Sequence, residues 1–329
     1  MKPWVIRLHI QNQATRLDLA LLEALQKEHA LAITRAGLKK HFQEKRIIFN
    51  RVAAKPALVL EKGSYEITLH IDPNELNESL SQVASPAAED FQLPIVFEDE
   101  DLLVLYKNSG IPSAPQHSQE TQTAVNFVIR KFPSLAEMGA EISAKTGRNP
   151  LESTLLHRLD TGTSGLLVFA KTQAEYERLH LAWKKREVKK TYRALVCNSG
   201  KLPQDFPYLI DFPMGHDKKS SKRMIAITNP HHLSLIRGKA LPATTKILKI
   251  REIPQEKEIL DFEVQIDTGV MHQIRCHLSH LGFPILGDSI YRGRPSTRLW
   301  LHAWRLEIPH RTGHPLLLEA ALPEGWGTE

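Results

Sequence analysis

Cysteine is nearly absent: Cys197 and Cys276 are the only two among 329 residues. Two cysteines cannot make a disulfide framework or a four-cysteine zinc cage, and the expected setting is a reducing cytoplasm. No apolar run approaches the roughly 20 residues a membrane helix needs. No apolar signal core follows Met1-Lys2-Pro3-Trp4. A membrane partner is therefore not expected, and no obligatory protein partner is evident. Repeats at periods of about 20–50 residues are lacking too, which argues against a solenoid.

What is present is an ordinary globular composition, 42% hydrophobic and 24% charged, which excludes a disordered chain, a collagen or a coiled-coil rod. The length suits about two domains. Lys plus Arg number 43 against 37 Asp plus Glu, a net charge of +6 and a pI near 9.2. That balance fits a nucleic-acid partner.

Residues 1–72 read as a small module. Leu17, Leu21, Leu22 and Leu25 recur at helical spacing. A second helix is expected after Thr34 as N-cap, carrying Arg35, Lys39 and Lys40. Arg46–Asn50 and Ser64–Leu69 read as strands. Residues 73–92, rich in Pro, Ser, Ala, Asn and acids, read as a linker, and 93–329 as the larger domain. Within it Leu102–Tyr106, Leu166–Ala170, Thr191–Val196, Ile259–Ile266 and Leu299–Ile308 look like strands. Thr172 and Glu175 form a capping-box pattern opening a helix. His272–Leu281 reads as another helix, ended by Gly282.

Two runs could carry chemistry. Leu156-His157-Arg158-Leu159-Asp160-Thr161-Gly162-Thr163-Ser164-Gly165 puts a carboxylate in a small-residue turn that leads into a buried strand. The bland alternative is an Asp that caps the turn through nearby backbone amides. Asp267-Thr268-Gly269-Val270-Met271-His272-Gln273-Ile274-Arg275-Cys276-His277 sets His272 and Arg275 three apart, on one face if helical. Its bland alternative is a solvated basic face.

Together these runs resemble the RluA-type pseudouridine synthase family, whose first signature is His-Arg-Leu-Asp-x-x-Thr-Ser-Gly-Leu. The second signature, Thr-Gly-Arg-x-His-Gln-Ile-Arg-x-His followed by Gly-x-Pro-Ile-x-Gly-Asp and a Tyr, is matched through Asp288 and Tyr291. Lys190–Val196 is similar to the family's Lys-x-Tyr-x-Ala-x-Val strand, Lys107–Pro112 to its Lys-Pro-x-Gly opening, and Leu301-His302-Ala303 with Leu322-Pro323 to its close. Val270 stands where the family usually has Arg, and Asn108 replaces the Pro. Residues 1–72, through Arg16-Leu17-Asp18, Thr34-Arg35, Lys39-Lys40, Arg46–Asn50 and Lys62-Gly63, resemble a small RNA-binding domain shared with a small-subunit ribosomal protein. There, Lys45 or Arg46 replaces the usual glycine.

The resemblance implies an α+β protein: a catalytic domain with a large mixed, mostly antiparallel sheet flanked by helices and loops, plus a small N-terminal α+β RNA-binding module. It implies isomerisation of uridine in structured RNA, ribosomal RNA first and transfer RNA second, without a cofactor or a metal. By the same resemblance Asp160 acts on the ribose, by attack on the anomeric carbon or by removal of a ribose proton. Arg275 is the guanidinium that favours its charged form. Tyr192 packs on the uracil and takes the carbon-5 proton. Arg158 fills the space left by the flipped base, and Lys171 and His272 touch the RNA. Arg35, Lys39, Lys40 and Arg46 are the module's RNA contacts. Rival readings are an N-glycoside hydrolase, which usually needs a second acid, a metal site drawn from His272, Cys276, His277 and His280, and an RNA-binding or assembly factor that lost the reaction.

Overall fold

Five apolar runs were expected as strands, and all five form strands in the computed structural model, with ends moved by up to two residues. The structure describes every residue except 1–2, 12–13, 30, 32, 34, 79–83, 118, 255 and 328–329, together with the helix side chains of 35, 36, 74, 77 and 78. By contacts, residues 1–88 with 114–154 form one compact unit, and 89–113 with 155–329 form the other. No described helix is long and apolar enough to cross a membrane.

In the first unit a four-stranded sheet runs in the order Trp4–Ile10, Gly63–Leu69, Ile47–Phe49, Val52–Ala53. Helix Leu17–Lys27 lays Leu17, Leu21 and Leu25 into a core with Ile6, Leu38 and Ile67, each such burial stabilising by about 1.5–3 kcal/mol. Leu22 is only partly buried. Helix Arg35–Gln43 carries Lys39 and Lys40 on its exposed side. Thr34, read as its N-cap, and the side chain of Arg35 lie outside the described residues. A short helix, Pro73–Glu78, opens the stretch read as a linker. Proline suits its first turn, Leu76 is fully buried, and Arg46 grips Glu75 at 2.6 and 3.0 Å. Two helices the sequence reading missed, Ala124–Lys131 and Ser134–Thr146, also belong to the unit; the first is opened by a Thr123–Asn126 capping box.

The second unit is built on a large sheet ordered Tyr208–Ile210, Thr245–Glu252, Ile259–Ile266, Lys189–Cys197, Leu301–Ile308, Ser164–Ala170, Leu102–Lys107, Ile95–Glu98. Leu316–Glu319 also pairs with Leu301–Ile308. Its described pairs are antiparallel apart from Ser164–Ala170 beside Leu301–Ile308, so the sheet is mixed and mostly antiparallel. All seven residues of Ser164–Ala170 are buried, as a central strand covered on both faces requires. The parallel junction explains the Thr-Ser-Gly turn. Ser164 Oγ meets His302 Nδ1 at 2.8 Å and accepts from Arg298 at 2.6 Å. Gly165 has φ +118°, and a Cβ there would sit 2.2 Å from the Ala303 carbonyl oxygen. Only glycine allows that approach.

Helix Gln173–Lys185 begins at Thr172, whose hydroxyl accepts from the Glu175 amide. The reciprocal half of the expected capping box is missing, because the Glu175 carboxylate goes to Arg178 at 2.6 and 2.8 Å. The last helix is Gln273–His280; His272 precedes it in a left-handed conformation, φ +55°. A three-stranded sheet, Met214–Asp217, Met224–Ala226 and Ile236–Leu241, was not anticipated.

Candidate active site

The Asp160 turn is closed by its backbone, not its side chain. Thr163 N–H donates to the Asp160 carbonyl at 3.0 Å, which leaves the carboxylate to other partners and disposes of the turn-capping alternative. The turn is stitched to the segment 107–113 on both sides. Lys107 Nζ and the Gly110 amide donate to the Thr161 carbonyl at 3.2 and 2.8 Å, and Ser109 Oγ donates to Gly162 O at 2.7 Å. Ser113 Oγ both donates to Leu159 O and accepts from Leu159 N, at 2.8 and 2.9 Å. Lys107 is fully buried and also donates to the carbonyls of Asn108 and Ile111. Burial pushes its ammonium down to about 7, against the pull of the Asp160 charge. With Asn108 in place of proline, this buried amine organises the turn.

Helix Gln273–His280 brings Arg275 to the same point. Its terminal nitrogen donates to Asp160 Oδ2 at 2.9 Å. Its other nitrogens form a fork to the buried Asp288, 2.7 Å to Oδ2 and 2.9 Å to Oδ1. Burial opposes the Arg275 charge, but the Asp288 and Asp160 carboxylates outweigh it and hold the guanidinium above its ordinary value. Asp288 Oδ1 further accepts from the amides of Ile290 and Tyr291. Asp288 therefore grips Arg275 bidentately, and Arg275 in turn holds a carboxylate whose side chain stays 27% exposed.

His272 Nε2 lies 3.7 Å from Asp160 Oδ2, and its Nδ1 is 3.2 Å from the Tyr291 hydroxyl. Burial lowers the His272 imidazole, and the Asp160 charge opposes the shift. Tyr192 lies on the central strand Lys189–Cys197 and is buried. Burial, then the Asp160 charge, raises its hydroxyl well above the ordinary value. Such a phenol keeps its proton at neutral pH. Chemically, a fixed, half-open carboxylate beside a pinned cation and a neutral phenol can act as nucleophile or base toward a neutral ring substrate.

The other sequence candidates are placed as follows. Arg158 is exposed, two residues from Asp160. Lys171 follows the far end of Ser164–Ala170 and donates to Glu98 Oε1 at 2.9 Å and Asp99 O at 2.6 Å; it does not join the cluster. In the first unit Arg46 is spent on Glu75 and on the His70 carbonyl. The side chains of the proposed metal set diverge: His277 bonds Thr245 Oγ1 and the Phe212 carbonyl, while Cys276 Sγ points to the Met224 carbonyl. Val270 packs against an apolar cluster that includes Met214, Met224, Cys276 and Tyr291, a setting that suits it. Sequence reasoning missed the roles of Lys107 and Asp288. The signal for Asp288 was an acid directly after the glycine turn that follows the Arg275 helix.

Comparison with known proteins bears on this cluster. A family model described as RNA pseudouridylate synthase matches residues 101–280. A ribosomal large subunit pseudouridine synthase D of Nitrosomonas europaea is 33% identical over 254 residues, 73% of this chain and 65% of that protein. A protein of the same name from Vibrio parahaemolyticus is 29% identical over 327 residues, covering 94% of this chain and 88% of that one. Among solved structures, human RNA pseudouridylate synthase domain containing 1 superposes with a TM-score of 0.53 at 23% identity, over 72% of this chain and 86% of that one. That likeness speaks for the fold.

Proposed function

The chain belongs to the RNA pseudouridylate synthase family, and from that premise we propose that it converts uridine to pseudouridine in large-subunit ribosomal RNA. The observation that carries this reading is the ladder Asp288–Arg275–Asp160, which holds one carboxylate at an open site. The substrate assignment rests on the names of the relatives, two of them ribosomal large subunit enzymes.

In the proposed reaction the bond between C1′ and N1 breaks, the uracil turns, and C5 bonds to C1′. The C5 proton leaves and N1 gains one, so atoms balance without a cofactor. Asp160 acts on the ribose, Arg275 steadies its charge, and Tyr192 packs on the base. For Tyr192 to take the C5 proton it must pass its own on, since its hydroxyl is protonated at rest. Arg158, exposed beside Asp160, occupies the gap left by the flipped base; a planar guanidinium can both stack and hydrogen-bond there. Unstacking costs a few kcal/mol, less in a loop. The N-terminal residues 1–72 add RNA contacts through Lys39 and Lys40, and the protein works in the cytoplasm, a reading supported by its bacterial relatives.

Mapping pseudouridine in ribosomal and transfer RNA from cells with and without the protein tests the reading. One or more large-subunit positions should lose the modification. Loss confined to transfer RNA would move the substrate, and an unchanged map with no product in vitro would refute the activity.

A further inference from the structure

The three-stranded sheet that the sequence did not announce carries an unusual charge. Between Met214 and Leu241 stand Lys218, Lys219, Lys222, Arg223, Arg237 and Lys239 against one acid, Asp217. Asp217 is buried and its Oδ1 accepts from the Lys219 amide. Elsewhere in this unit several surface cations are paired, as in Lys171–Glu98, Arg178–Glu175 and Arg305–Glu319. None of the six forms an ion pair with an acid among the described residues, and all but Arg223 are exposed. Holding like charges together without counter-charge costs stability. That cost is explained if an anion covers them.

The hairpin joining Met214–Asp217 to Met224–Ala226 is tied to the catalytic cluster. Met224 N–H donates to the Tyr291 hydroxyl at 2.8 Å, Tyr291 meets His272 at 3.2 Å, and His272 lies 3.7 Å from Asp160. Cys276, next to Arg275, places its Sγ 3.5 Å from the Met224 carbonyl. Lys222 is two residues from Met224, roughly 7 Å along an extended chain. The tip is also preformed: the Lys219 amide bonds Asp217, the Lys222 amide bonds Ser220 Oγ, and Lys218 Nζ bonds the Ser234 carbonyl.

We infer that this hairpin is an RNA-backbone grip, in which Lys219 and Lys222 contact the phosphodiesters flanking the uridine held at Asp160. It rests on the function proposed above and names how that site holds its substrate.

The test compares wild type, the pair Lys219→Ala with Lys222→Ala, and the pair Lys219→Arg with Lys222→Arg. Binding to deproteinised large-subunit ribosomal RNA is measured across a salt series, with turnover at saturating RNA. Each lost phosphate contact should lower the slope of log affinity against log salt by about 0.7–0.9. The alanine pair should therefore bind with a slope shallower by about 1.4–1.8 and a raised KM, while kcat is retained; the arginine pair should restore the slope. An unchanged slope and affinity in the alanine pair overturns the grip. So does an arginine pair that fails to restore them. If wild type forms no pseudouridine in any RNA, the proposed function fails, while the salt slopes still decide whether the hairpin holds RNA.

Discussion

Removing Asp288 and disabling Asp160 should have opposite signatures, although both contact Arg275. Asp288 is completely buried and Arg275 has only 8% of its side chain exposed. Asp288→Ala strips two charge-assisted hydrogen bonds from that guanidinium and two from the amides of Ile290 and Tyr291. Breaking a buried ion pair by deleting one partner costs about 3–5 kcal/mol, a large part of the ~5–15 kcal/mol that ordinarily holds a fold together. Asp160→Asn leaves the Asp288–Arg275 fork intact, and an amide oxygen can still accept from Arg275. Its stability cost should be about 1 kcal/mol or less, while turnover falls by roughly 10⁴-fold or more, as when a reacting group is removed. Urea unfolding followed by tryptophan fluorescence measures the first quantity, and pseudouridine formation at saturating RNA the second. Asp288→Ala within 1 kcal/mol of wild type, or Asp160→Asn as unstable as Asp288→Ala, would refute the claim that Asp288 is what holds Arg275 in place.

Tyr192→Phe keeps the buried ring and removes the hydroxyl; product formation should drop about 10²–10⁴-fold with RNA affinity nearly unchanged, and wild-type rates would confine Tyr192 to packing. Gly165→Ala should unfold the parallel junction, because its Cβ would meet the Ala303 carbonyl at 2.2 Å; a soluble, fully active alanine variant would contradict this. Lys107 titrates near 7 in the folded chain against 10.5 ordinarily. Between those values the unfolded chain holds the extra proton, so stability contributed by this group rises with pH and is lost on acidifying through about 7. The urea midpoint of wild type should therefore climb between roughly pH 7 and pH 9 relative to Lys107→Met, and parallel pH profiles would show that Lys107 keeps its ordinary affinity for protons.

What the sequence by itself determined is local. Apolar runs such as Ile259–Ile266 and the leucine spacing of Leu17–Lys27 became a strand and a helix because burial at period 2 or 3.6 is encoded in neighbouring residues. The Arg-Leu-Asp turn and the helix after Met271 were equally legible, as was the family to which they belong. Even so, one local detail was misread: His272 adopts a left-handed conformation ahead of the helix instead of belonging to it, although its ring and Arg275 face the same Asp160 oxygen. Tertiary structure alone decided what meets what. Arg275 reaches Asp160 across 115 residues of chain, and Asp288 folds back to hold it. Lys107 left the surface for the underside of the Asp160 turn because carbonyls 4 and 54 residues away could accept hydrogen bonds from it. Lys171 and Arg46, likewise cations, were drawn instead to Glu98 and Glu75. A charge finds its partner by proximity in space, and only the folded chain sets that proximity.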